Sequence, residues 1–329
     1  MDWGCQTKRF GKYTGGTRRE WFPSNDLSNK GQIAKRGKGI SVNNELQRDA
    51  ILAQVRSIPS LPTAATRVIG LLRDPDVEVN DLLHAIEYDP GLTSNVLRLA
   101  NSAYFAGPRS IGSLREAIVR LGMNRLFQLV VTTAITPFGR TEVKGYDLSP
   151  GQLLEHAVAT AVGAEELANQ LGRKAPGETF TAALLHDLGK IVLGTYVEAD
   201  AQAITGLAFK EEMPFDQAEA RILGIDHAET GAILLEQWGL PASIIGVVRW
   251  HHDPSRYEGD HLLYDLVYVA NHLCLECGIG SGMDGINRHP VADVYMRLGM
   301  NEQIAEKAII AMRDGFENLR GLMGLEPPK

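Results

Sequence analysis

From residue 45 onward, apolar residues recur at helical spacing, and no stretch shows the period-two alternation of a half-buried strand. Leu46, Ile51, Leu52 and Val55 make a first amphipathic face. Pro59 and Pro62 interrupt it, and Pro62 suits the first turn of the next helix, which carries Val68, Ile69, Leu71 and Leu72. Asp74-Pro75-Asp76 ends that helix, and Asn80 is expected to cap another with Leu82, Leu83 and Ile86 inside. Asp89-Pro90 breaks the pattern again before Leu92, Val96, Leu97 and Leu99. Ser113-Leu-Arg-Glu116 has the form of a capping box, opening a helix with Ala117, Ile118 and Leu121. A run from Asn124 to Ile135 follows, and no βαβ alternation is present. Residues 45–140 are therefore expected to form an all-helical first lobe.

Residues 137–150 read as a linker rich in Pro, Gly, Thr and Asp, dividing two packed helical lobes near residue 145. Ser149 and Pro150 predict a helix start, the hydroxyl capping and the proline at the first helical position. Helices are expected over 150–171, 177–195, 214–223, 226–238, 241–252 and 261–277, giving a second lobe at 141–280. Residues 281–329 predict a loop and an amphipathic helix with Ile304, Ala308, Ala311, Met312, Phe316 and Leu319. No repeat of 20–50 residues is visible.

Composition sets the outer limits. A 329-residue chain that is 44% hydrophobic can bury one large core or two smaller ones and is not mainly disordered. No uninterrupted apolar run approaches the ~18 residues of a membrane span, and no secretory signal follows the N-terminal basic residues. Cys5, Cys274 and Cys277 cannot build a disulfide scaffold. A soluble, cytoplasmic protein is expected. Residues 1–44 hold nine Lys/Arg against three Asp/Glu, a net of +6, which leaves −13 of the formal −7 on the remainder. The head reads as a basic, disordered tail, and the acidic body argues against nucleic-acid binding. Gly31 to Lys38 has the wrong glycine spacing for a phosphate loop, and Gly39 stands where Ser or Thr should be.

The segment Phe180-Thr-Ala-Ala-Leu-Leu-His186-Asp187-Leu-Gly-Lys190-Ile-Val-Leu is apolar nearly all round, so as a helix it should be buried. Burying an unpaired carboxylate costs several kcal/mol even after relaxation, so Asp187 requires a cation. Lys190, three residues on, can supply one as a structural ion pair; so can a metal, with His186 as co-ligand. Other histidines bear on that choice. His156 is in line with Thr160, Gly163, Ala164 and Leu167, and His227 follows the expected cap Asp226 in line with Gly231, Leu234, Leu235 and Trp238. His251 and His252 stand three and four positions after Val248. Singly, each reads as a satisfied core histidine. Five with one carboxylate, all in the second lobe, favour one or two divalent transition metals, with Fe, Mn, Zn or Ni all suited to imidazole and carboxylate.

The order His156, His186-Asp187, His227, His251-His252 resembles the metal-binding order of HD-type phosphohydrolases, especially the two-metal variety. The first lobe narrows the resemblance. Asp89-Pro90-Gly-Leu, Leu97-Arg-Leu-Ala-Asn101-Ser-Ala-Tyr104-Phe and Ser113-Leu-Arg-Glu-Ala-Ile-Val-Arg-Leu-Gly122 look like the signature of HDOD, the HD-related output domain. So do Leu184-Leu-His-Asp-Leu-Gly-Lys190, His227-Ala-Glu-Thr-Gly231 and Trp238-Gly-Leu-Pro241. The resemblance covers roughly residues 50–277 and implies a bacterial, all-helical protein of signal transduction and regulation, its second lobe an HD-type metal-binding fold. It further implies one metal held by His156, His186 and Asp187 and a second by His227, His251 and His252, with Asp187 bridging. Such a pair would activate a water for attack on a phosphoryl group, with Lys190 contacting the phosphate.

Two departures from the family pattern stand out. HD enzymes carry an Asp on the last site helix where this chain reads Tyr268-Val-Ala-Asn271-His272; the Asn271 amide can bind a metal through oxygen but brings no charge, which weakens the first site. After His251-His252 the chain lacks the Gly-Tyr-Pro segment of cyclic-di-GMP phosphodiesterases, which argues against that hydrolysis. Cys274-Leu-Glu-Cys277 has too few companions for a structural zinc, and core or surface cysteines are the expected reading. The leading expectation is a regulator that binds metal and acts through a protein partner or a ligand such as a nucleotide or phosphoester. A metal-dependent phosphohydrolase or phosphodiesterase, with Asp187 and Lys190 as catalytic residues, is the alternative, and di-iron oxygenase chemistry is a remote third.

Overall fold

Most of the breaks that capping side chains impose on this periodicity become helix ends. The computed structural model describes residues 41–325 apart from 73, 75, 106–108, 281, 284 and 289. Residues 1–40 of the expected 1–44 basic tail, with the rejected phosphate-loop segment, lie outside the described residues, whereas residues 41–44 open the first helix rather than belonging to a disordered tail. The described residues are helical without a named strand, apart from one isolated bridge between Val143 and Leu148. The fold is all-α, with two packed helical lobes, the second of the HD type.

In the first lobe, α2 (Thr63–Leu71), α3 (Val79–Glu87), α4 (Pro90–Ala100) and α5 (Leu114–Gly139) pack on one another. Asp89 caps α4 by accepting the Leu92 N–H at 3.0 Å, with Pro90 in the first turn. Ser113 Oγ accepts the Glu116 N–H, while Glu116 reaches back to the Gly112 N–H, so the capping box closes one residue earlier than its usual form. Asn80 does not cap α3. The helix begins at Val79 after an extended Glu78, and Asn80 instead accepts a hydrogen bond from Arg115 at 2.6 Å. Asn101 closes α4: its amide donates to the Leu97 and Ile111 carbonyls, and its Oδ1 accepts from the Ile111 N–H at 2.7 Å. We expect Asn101→Ala to cost about 1–2 kcal/mol, since these bonds tie the loop after α4 to its end. A urea midpoint equal to wild type would contradict that.

Helix α5 bends at Gly122, whose φ of 76° only glycine adopts without strain. Beyond the bend, Leu126, Leu129, Val130 and Val131 are buried. By length and composition α5 could cross a membrane, although Asn124, Arg125 and Gln128 interrupt its apolar run. Half of its most apolar window is buried inside the protein.

The second lobe contains α6 (Gln152–Gln170), α7 (Thr179–Leu185), α8 (Gly189–Ala199), α9 (Ala201–Lys210), α10 (Phe215–Leu223), α11 (His227–Gln237), α12 (Ala242–Trp250) and α13 (Leu262–Glu276). Helix α1 (Ser41–Ser57) lies against α8, α10 and α11, and Ile51 shares a core with Val143, Tyr146, Leu193 and Phe215. Residues 137–150 are more ordered than a linker: α5 runs through Pro137 to Gly139, and Val143, Tyr146 and Leu148 are buried. Ser149 and Pro150 do not open α6. Gly151, at φ 90°, precedes Gln152, whose side chain accepts the Ser149 N–H. After α13 come α14 (Ala292–Leu298) and α15 (Glu302–Arg320), the latter lying along α6. Helices α9 and α14 went unpredicted because each buries only two side chains, too few to mark a period.

The expected helix over 177–195 is in fact two. Between α7 and α8, Leu188 bonds to Leu185, Lys190 to Asp187 and Ile191 to Leu188, the i→i+3 pattern of a tightened turn. That turn aligns residues three apart and so puts Lys190 over Asp187. Gly189 permits the turn: a Cβ there would collide with the His227 carbonyl and the Gly231 backbone, where α8 crosses α11.

Candidate metal centre

Five helices deliver their polar residues to one buried point. His156 comes from the middle of α6, and His186 and Asp187 from the turn ending α7. His227 is the first residue of α11, placed there by its cap Asp226, which accepts the Glu229 N–H at 2.7 Å. His251 and His252 follow α12, and Asn271 sits inside α13. His156, His186, Asp187, Lys190, His227 and His251 are each at most 2% exposed; His252 is half-buried.

Asp187 is the hub. Its Oδ2 lies 3.3 Å from His186 Nε2, 3.5 Å from His156 Nε2 and 2.6 Å from Lys190 Nζ. Its Oδ1 lies 3.5 Å from His227 Nε2 and 3.6 Å from His251 Nε2. Two trios, His156, His186, Asp187 and His227, His251, His252, each bring their ligand atoms within 4.8 Å of one another. Asn271 Oδ1 is 3.1 Å from His156 Nε2, at the edge of the first trio. Cys274 and Cys277 belong to neither trio. Cys274 is a core residue against Met312, its thiol pushed up to about 12 by burial.

The far side of each ring decides what the near side can do. His156 Nδ1 bonds the Ile279 carbonyl at 2.8 Å, His186 Nδ1 the Ala183 carbonyl and His251 Nδ1 the Val248 carbonyl, both at 2.6 Å. A carbonyl only accepts, so each Nδ1 carries the proton and each Nε2 of a neutral ring presents a lone pair to Asp187. Lone pairs then face carboxylate oxygens, and His186 Nε2, His251 Nε2 and Asp187 Oδ1 are buried without a hydrogen-bond partner. A cation between such acceptors satisfies both at once. Imidazole, carboxylate and amide donors at this spacing fit one or two divalent transition metals.

Burial pushes His156 down to about 4, and the charges of His186 and Lys190 add to that while Asp187 opposes it. Burial, then His186, likewise hold His251 well below the usual imidazole range. Burial would raise Asp187, but His186 and Lys190 outweigh it and keep the carboxylate ionised. Metal-free protein should therefore lose stability as pH falls from 6.5 toward 4. In that window the unfolded chain protonates its imidazoles while His156 and His251 stay neutral in the fold, so acid favours unfolding. For His156 the full window amounts to about 3 kcal/mol at about 1.4 kcal/mol per unit. Asp187 keeps its charge throughout it. A melting temperature flat between pH 7 and 4.5 in chelator would contradict this account.

Sequence reasoning missed the support around the second trio. Glu219, on α10 and fully buried, accepts both the backbone N–H and the Nδ1–H of His227, at 3.0 and 2.8 Å. One turn earlier Asp216 holds Arg288 at 3.0 Å, and that guanidinium lies 3.3 Å from His252 Nε2. The available signal was Asp216-x-x-Glu219 on a helix whose neighbours Phe215, Ala218 and Leu223 face the core.

A family model described as HDOD domain matches residues 58–254. An uncharacterized protein of Treponema pallidum (strain Nichols) is 28% identical over 224 residues, 68% of this chain, and the chain spans 43% of that protein's length. Among solved structures, an HDOD domain protein of unknown function from Geobacter sulfurreducens aligns with TM-score 0.60 and 24% identity, covering 84% of this chain and 97% of its own. A protein named as a signal transduction protein, from Marinobacter aquaeolei VT8, aligns with TM-score 0.61 and 24% identity over 87% of this chain and 68% of its own. At that identity the two show the fold. A protein named as a phosphohydrolase, from Shewanella amazonensis SB2B, aligns with TM-score 0.55 and 25% identity over 80% of this chain and 98% of its own.

Proposed function

Because this chain belongs to the HDOD domain family, we propose that it is a metal-binding regulator of signal transduction, acting through a protein partner or a nucleotide or phosphoester ligand. One observation carries this reading: the seven-residue helix α7, buried along its whole length, joins the metal centre to the first lobe. Its C-terminal end becomes His186 and Asp187. Near its N-terminal end Phe180 packs on Phe105 and Tyr104 of the first lobe, with ring centroids 5.8 and 6.0 Å apart. Tyr104 in turn donates to Glu165 on α6, the helix that carries His156. Asp187 and the first lobe are thus linked by one short, fully buried helix, an arrangement that suits a sensing or structural metal. The near-complete burial of the donors points the same way.

A second reading, metal-dependent phosphohydrolase, is favoured by Lys190 beside Asp187 and Arg288 beside His252, two cations suited to a phosphoryl group. The Shewanella protein named as a phosphohydrolase supports it as well. A bound metal pair would supply Lewis acidity and an activated water; Lys190 and Arg288 would orient the anion. Hydrolysis of a generic phosphodiester by Mn-loaded protein, beside Asp187→Ala, separates the two. The regulator reading predicts no turnover, and metal-dependent hydrogen exchange in α5 and α7. Steady hydrolysis abolished in the variant would overturn it in favour of the enzyme.

A further inference from the structure

The two trios are supported differently. In the first, His156 and His186 are braced by the backbone carbonyls of Ile279 and Ala183, and the neighbouring Asn271 is uncharged. In the second, His251 is braced by the Val248 carbonyl, but His227 is braced by a carboxylate. Glu219 is 0% exposed, its Oε2 takes two bonds from His227, and its Oε1 has no hydrogen-bond partner. Its neighbour Asp216 is already paired with Arg288, so the charge of Glu219 is directed at His227. A buried anion facing one imidazole is costly unless that imidazole carries positive charge onward. A divalent metal on His227 Nε2 does so, because a carboxylate on the far nitrogen raises the basicity of the ligating one and fixes its tautomer.

Resting on the metal-binding reading above, we propose that Glu219 is the positioning residue of the second trio, and that its charge makes His227, His251 and His252 the first of the two trios to load. With Asp187 shared, Glu219 adds a second negative charge close to a dication held there. The first trio has no equivalent.

Zn2+ titration of metal-free full-length protein by calorimetry tests this, with Glu219→Gln as the isosteric neutral variant and His156→Ala to identify the first trio. Wild type is expected to show a tighter and a weaker event. His156→Ala should remove the weaker one, and Glu219→Gln should weaken the tighter one 10- to 100-fold. A residue that merely held the fold would lower the metal-free melting temperature in Glu219→Gln; a positioning residue leaves it equal or higher. Unchanged affinity in Glu219→Gln, or loss of the tighter event in His156→Ala, overturns the inference while leaving metal binding intact. No Zn2+ uptake by wild type overturns both. If Glu219→Gln does not fold, imidazole 15N shifts of wild type decide: His227 must be protonated at Nδ1 and metallated at Nε2, and the reverse assignment refutes the role given to Glu219.

Discussion

Asp187→Ala should abolish metal binding at both trios, lowering affinity by more than about 100-fold at each, beyond the usual loss from an outer-shell change. The reason is geometric. Among the described residues, Asp187 is the one carboxylate within reach of four imidazoles, with Oδ2 toward His156 and His186 and Oδ1 toward His227 and His251. Removing it takes a ligand and a negative charge from both positions, leaving neutral rings to hold a dication with Lys190 nearby. His186→Ala should cost the first trio while the second still loads, and Cys277→Ala should change nothing. Equilibrium dialysis against Zn2+ or Mn2+ reads all three. Asp187→Asn, close to isosteric, guards against a folding defect, and either Asp187 variant keeping the wild-type metal load would refute the assignment of Asp187 as the shared ligand.

Lys190→Ala should destabilise metal-free protein by about 3–5 kcal/mol, the typical cost of removing one partner from a buried ion pair. Lys190 Nζ is 2.6 Å from Asp187 Oδ2, and both side chains are 2% exposed. Without that ammonium, the ionised carboxylate remains in the core without its closest cation. Metal should restore much of the loss, since a dication substitutes for the missing charge. In chelator, the double variant Lys190→Ala/Asp187→Ala should be destabilised by less than the sum of the single changes, because neither stranded charge remains. If Lys190→Ala melts with wild type in chelator, the pair does not stabilise the fold.

What could be read from residues alone follows from how far each feature reaches along the chain. The polar residues of the centre betrayed themselves by breaking apolar stripes: His156 among small residues of α6, His186 and Asp187 in an otherwise apolar segment, His227 next to its cap. Caps at Ser113 and Asp226 were legible because a cap acts over three residues. Asn80 and Ser149 carried the same local signal yet do not cap. A tertiary partner, Arg115, engages Asn80 instead, and at Ser149 the Gln152 side chain three residues on accepts the backbone N–H. The tightened turn at residues 186–188 was hidden because its residues keep helical dihedrals and apolar neighbours; only the crossing of α8 over α11 at Gly189 explains it. Glu219 was illegible for another reason. An acidic residue on an amphipathic helix reads as solvent-facing, and its partner His227 belongs to the next helix.

The central claim is that Asp187 and the imidazole Nε2 atoms around it hold metal. Anomalous difference density, from crystals of untagged protein purified without chelator and measured at the absorption edge of the metal it carries, tests it most directly. The account predicts peaks at about 2.0–2.2 Å from Asp187 and the surrounding Nε2 atoms, with the second trio the more fully occupied. Metal-replete, folded protein without density beside Asp187, or with its density elsewhere, would contradict it.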